Sequence, residues 1–88
     1  MNKQRIIEIE KKHAKVLQVG NLVYYHAVIG GEITSGPHAV IMEPIFQNGR
    51  WVVFIEGHSG YVSCAAVLKP DWELSADIRK YEREKSLA

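Results

Sequence analysis

The chain is 88 residues long, with 47% hydrophobic and 24% charged residues and a formal net charge of +1 at pH 7. That length is one domain, which buries about 60–65% of the surface its unfolded chain exposes, and the composition is too apolar for a disordered chain. The single cysteine, Cys64, cannot form an intramolecular disulfide and points to a reducing compartment, while no apolar run reaches the roughly 18–20 residues a membrane span needs.

The start Met1-Asn2-Lys3-Gln4-Arg5 runs into Ile6-Ile7-Glu8 and not into an apolar signal core, so the expected location is cytoplasmic. Residues 1–21 hold five Lys/Arg against two Glu, residues 70–88 hold four against five acids, and residues 22–69 hold two against three. So few charges in the central stretch leave apolar surface that flanking helices or a partner must cover.

Residues 2–17 read as an amphipathic helix capped by Asn2, with Ile6, Ile9, His13 and Leu17 on one face, Glu8 and Lys12 at i,i+4, and Lys11 and Lys15 opposite. Val19-Gly20-Asn21 breaks that period and residues 22–29 open the sheet. Along that strand Tyr24, His26 and Val28 lie on one side and Val23, Tyr25, Ala27 and Ile29 on the other. Residues 30–37 form a long glycine-rich connection, and residues 38–46 a second strand in which Pro44 demands an edge or a bulge.

Gln47-Asn48-Gly49 is the strongest local signal: Asn-Gly between two β runs favours a type I′ turn, so residues 40–55 are expected as a hairpin. In Trp51-Val-Val-Phe-Ile55, Trp51, Val53 and Ile55 alternate with Val52 and Phe54; one set fills an interior and the other needs cover. Gly57-His58-Ser59-Gly60 makes a second tight connection to a short strand at residues 61–63, Cys64-Ala65-Ala66 a single helical turn, and Val67-Leu68-Lys69 a closing strand before Pro70. Residues 71–88 offer a thin-striped second helix through Ile78, Tyr81 and Lys85, capped by Asp71 or Ser75 and loosely docked or frayed.

This order defines a mainly β fold: a five-stranded SH3-like barrel over residues 20–70, an N-terminal α-helix over 1–18 and a short C-terminal helix over 71–88, all one domain. At Glu56-Gly-His58-Ser-Gly60-Tyr-Val62, followed by Ala65-Ala66-Val67-Leu68, the chain resembles the plasmid-encoded type II dihydrofolate reductases, small SH3-like barrels that assemble as tetramers. Their matching segment runs Glu-x-His-Pro-Gly-Ser-Val and then Gln-Ile-Tyr, the latter lining a shared active-site pore. Here Ser63, Cys64 and Ala65 stand at those positions, so the resemblance implies the fold and an oligomer without the reductase activity. The Ile29-Gly30 loop and the turn at residues 57–62 are also similar to small proteins encoded by phages and other mobile elements, which implies an accessory or inhibitory role on a host protein.

His26, His38 and His58 lie in the barrel segment with Cys64 nearby, but no paired ligand spacing such as Cys-x-x-Cys occurs, so neither metal nor cofactor is expected. Cys64 as nucleophile with His58 or His38 as base and Glu56 as orienter is the one catalytic constellation. Its Val-Ser-Cys-Ala-Ala setting reads as buried structure, and no enzyme activity is expected. The sheet's aromatic, charge-poor character favours a protein-interaction module with Tyr24, Tyr25, Trp51, Phe54 and Tyr61 as the partner-binding set. Lys11, Lys12, Lys15 and Arg50 are the set for the alternative, nucleic-acid binding. A small-molecule-binding oligomeric barrel is the second alternative.

Overall fold

The computed structural model describes residues 2–72 and 75–87. Helix α1 spans Lys3–Ala14, and Asn2 starts it as expected, its side-chain oxygen accepting the Arg5 amide at 2.9 Å. The helix stops short of residue 17 because Leu17 is needed elsewhere. The Val16 and Leu17 amides both fall back on the His13 carbonyl, and the chain then turns to put Leu17 into the core. Ile6, Ile9 and His13 form the half-buried stripe read from the sequence, but the fully buried side chain of α1 is Glu10.

Five strands follow: β1 (Leu22–Tyr25), β2 (Ser35–Gln47), β3 (Arg50–Ile55), β4 (Val62–Ser63) and β5 (Val67–Leu68), with a 3₁₀ turn at Cys64–Ala66 between the last two. They form one antiparallel sheet in the order β4-β3-β2-β1-β5. The long β2 serves both halves, its first residues pairing β1 and its last pairing β3, with register shifts on either side of Met42. The second shift brackets Pro44, which has no N–H to give a ladder. The sheet is not closed: β4 and β5 stand at opposite ends of the strand order, linked by the 3₁₀ turn.

The Asn48-Gly49 turn forms as read: both residues have positive φ (53° and 77°) and Gln47 pairs Arg50 directly, a two-residue hairpin loop. Strand β1 is shorter than expected, ending at Tyr25 in place of residue 29. The His26 amide still reaches the Ala66 carbonyl at 2.8 Å on the β5 side, and Thr34 satisfies the Tyr25 carbonyl with its amide on the β2 side. Gly36, at φ 142°, sits where a Cβ would lie 2.7 Å from the Tyr24 ring, so the start of β2 approaches β1 closely only as glycine.

Val23, Val40, Val53, Ile55, Cys64 and Val67 make the core between the half-sheets, with Leu17 closing it from the α1 side. Helix α2 (Ser75–Leu87) covers a second cluster of Tyr24, Leu68 and Ile78. Strand β1 is therefore buried on both sides, Val23 inward and Tyr24 beneath α2. The expected capping of α2 by Asp71 or Ser75 turns on residues 73 and 74 and lies outside the described residues.

Candidate functional site

The five aromatic residues read as a partner-binding set fall in separate places. Tyr24 is 3% exposed, and its hydroxyl donates to the Glu82 carboxylate of α2. Tyr25 is half-buried with its ring 4.4 Å from that of His58. Trp51 packs against the core and lies 5.3 Å from the exposed Phe46. Only Phe54 and Tyr61 share a surface, meeting edge to face at 5.6 Å and 89°.

That pair has neighbours the sequence reading did not name. Met42 stands directly opposite Phe54 in register, and the bulge at this point turns Ile41 outward as well. Ile41, Met42 and Tyr61 are each 45–47% exposed, so neither helix covers this side of the β2–β3 hairpin. Counting back from the Asn-Gly turn puts Met42 opposite Phe54 only if the register shift between Met42 and Ile45 is known.

The residues read as a basic surface divide too. Lys11, Lys12 and Lys15 are exposed along α1. Arg50 is not available: its Nε and Nη2 donate to both oxygens of Glu10 at 2.6–3.0 Å, and Ser63 donates its hydroxyl to the same carboxylate. Burial pushes the Glu10 carboxyl up, but the hydrogen bonds from Arg50 and Ser63, the Arg50 charge and the Trp51 amide outweigh it and hold the group below its ordinary value. The hydrogen bonds to Glu10 in turn raise Arg50 above its ordinary value. This network fastens α1 to β3 and β4. The sequence reading did not name Glu10, which lies between Ile6 and His13 on the docked side of α1.

His13 completes the fastening. Its Nδ1 lies 2.7 Å from the Cys64 carbonyl, which can only accept, so Nδ1 carries the hydrogen, and the ring stacks at 4.3 Å on Trp72. Burial holds the imidazole below its usual value against the raising effect of that hydrogen bond. The Cys64 thiol beneath it is fully buried and pushed up to about 12 by desolvation and then by the Glu10 charge, so it stays protonated at neutral pH and is no nucleophile.

At the other end of the hairpin Ser35 Oγ lies 2.7 Å from His38 Nε2, and the His38 ring meets that of His58 edge-on at 5.1 Å. Burial, and next the neighbouring His58, lower the His38 imidazole against a hydrogen bond to the Glu56 backbone. A hydroxyl beside a neutral imidazole is two thirds of a nucleophilic constellation. The cavities of about 680 and 330 Å³ are lined by other residues and do not adjoin it. Among the described residues no three His, Cys, Asp or Glu side chains converge on a metal position, and no helix is long and apolar enough to cross a membrane.

Ser63, Cys64 and Ala65 are engaged within the chain. Ser63 is bound to Glu10 and caps the 3₁₀ turn, and Cys64 and Ala65 are buried. Comparisons with protein-family models, with curated proteins and with solved structures find no match to this chain.

Proposed function

We propose that the chain is an SH3-like barrel serving as a non-catalytic protein-interaction module, with the outer face of the β2–β3 hairpin as its contact surface. The strand order, the long β2 shared by two half-sheets and the 3₁₀ turn before β5 support the architecture. The observation that carries the function is the uncovered cluster of Met42, Phe54 and Tyr61, continued by Ile41 and flanked by the exposed carboxylates of Glu43 and Glu56. Aromatic residues and methionine rimmed by charge are what interface cores are made of. The partner is a second copy or another protein, and the resemblance to mobile-element proteins extends the reading to a host protein.

The test begins with molar mass by light scattering, comparing the native chain with Phe54→Ser/Tyr61→Ser. A dimer or tetramer that the double substitution reduces to monomer makes the face a self-association surface. A native monomer moves the test to capture from host extract, where a bound protein must be lost in the double variant while the fold is retained. Equal capture by both proteins, or none by either, overturns the proposal.

Nucleic-acid binding is the weaker reading, because Arg50 is committed to Glu10 and the exposed bases of the set lie on one helix alone. A gel shift with mixed DNA and RNA that responds to salt and is abolished by Lys11→Glu/Lys15→Glu would reverse that order of preference.

A further inference from the structure

A cavity between α1 and β5 shares no residue with Met42, Phe54 or Tyr61. It measures about 680 Å³ and is bounded by α1, the loop after β1, β5 and the segment leading to α2. Its walls are apolar: Ile9, Val16, Ile29, Val67, Leu68 and the indole of Trp72. A second recess of about 330 Å³ continues from it, and His26, Gly30, Gly31 and Asp77 line both. That volume and that lining suit a small organic molecule.

Among the charged groups of this groove the carboxylates outnumber the ammonium groups, and the two histidines add acceptors. His26 is 7% exposed, and its Nδ1 lies 2.8 Å from the Gly31 carbonyl. A carbonyl only accepts, so Nδ1 carries the hydrogen and Nε2 is left with a lone pair. No described group bonds Nε2, and every fully enclosed side-chain nitrogen or oxygen among the described residues has a partner, so Nε2 opens on the groove. His13 is in the same state, Nδ1–H committed to Cys64 and Nε2 free to accept. Around them stand the carboxylates of Asp71 and Asp77, joined in the second recess by Glu32 and Glu84, against the ammonium groups of Lys12 and Lys80.

We infer that this groove binds a small amphipathic organic cation, an amidine or amine carried on an aromatic or aliphatic body, with the cation between His26 and Asp77 and the apolar body against Trp72 and β5. The buried imidazole and the carboxylates take the N–H groups. An anionic ligand meets a surplus of carboxylates and no donor at His26. A neutral apolar ligand leaves the buried Nε2 without a hydrogen bond.

The experiment is titration of ¹⁵N-labelled full-length chain with benzamidine, and in parallel with neutral benzamide and anionic benzoate, read by amide chemical shifts. Benzamidine is expected to move the amides of His26, Gly31 and Val67 saturably. Benzamide is expected to bind about tenfold more weakly, the loss of one charge-assisted hydrogen bond, and benzoate not at all. Asp77→Asn, an exposed position whose spectrum should otherwise match the native one, is expected to weaken benzamidine several-fold. Absence of saturable shifts with benzamidine, equal affinity for benzamide, or shifts confined to the hairpin surface overturns the inference. The hairpin proposal is untouched by any of these results, since the two surfaces share no residue.

Discussion

Glu10 and Arg50 form an ion pair whose two ends differ in exposure: the Glu10 side chain is 0% exposed and that of Arg50 34%. Removing one partner therefore has unequal consequences. Arg50→Met strands a buried carboxylate and is expected to cost about 3–5 kcal/mol. Glu10→Gln frees a guanidinium that can turn to water and is expected to cost about 1–2 kcal/mol, chiefly through weakened hydrogen bonds. Urea unfolding of the two variants measures the difference, and equal losses would mean that Arg50 is as poorly solvated as Glu10 once released. The same groups set the response to acid. Glu10, His13 and His38 all lie below their ordinary values in the folded chain, so the unfolded chain binds more protons in each window and stability rises with pH there. The histidine contributions are complete above about 6.5 and fade as pH falls toward the folded values; that of Glu10 is complete above about 4.3 and fades below it. Unfolding midpoints between pH 8 and 3 should fall in these two stages, and His13→Gln should flatten the upper one. A midpoint constant from pH 8 to 5 would contradict the assignment.

The two helices are expected to contribute unequally at the level of elements. Helix α1 carries the Glu10 network and the His13 hydrogen bond, and the chain just beyond it supplies Leu17 to the core. Deleting residues 2–17 removes all three and leaves Arg50, Ser63 and Cys64 facing water, so loss of cooperative unfolding is the expected result. Helix α2 is held by Ile78 and Tyr81 against Tyr24, by Glu82 on the Tyr24 hydroxyl, and by Lys85 on the Gly36 carbonyl at 3.2 Å. Truncation after Trp72 should keep the sheet folded and lower stability by about 1.5–3 kcal/mol, the burial of one large aliphatic side chain. Circular dichroism and urea titration of the two shortened chains distinguish a required cover from an accessory one. An unfolded α2 truncation would make Tyr24 and Leu68 dependent on α2 for folding itself.

Across the whole molecule, part of the apolar surface that a charge-poor central stretch demanded is covered by three segments. Helix α1 closes the core, α2 covers the outer side of β1, and the Trp72 segment packs on His13. The outer side of the β2–β3 hairpin is among the surfaces left open. The proposed contact surface and the proposed cation groove share no residue, so one chain can hold a protein partner and a small molecule at once. Binding of benzamidine should leave the oligomeric mass unchanged, which light scattering in its presence would show; a mass shift would link the two surfaces.

Short-range chemistry was legible in the sequence because each signal acts within a few residues of itself. Asn2 offers its oxygen three residues on, Asn48-Gly49 accepts positive φ, and Pro44 withholds a donor. From these came the element order, the hairpin and the five short strands. The tertiary structure alone decided which polar groups meet across long separations: Glu10 with Arg50 at 40 residues, Glu10 with Ser63 at 53 and Tyr24 with Glu82 at 58. Those meetings took Arg50 and Tyr24 out of the surfaces assigned to them, and the register shift between Met42 and Ile45 brought Met42 into one. A pattern of residue types fixes which side of a strand or helix is apolar; what covers that side depends on where distant segments pack, and no local period carries that information.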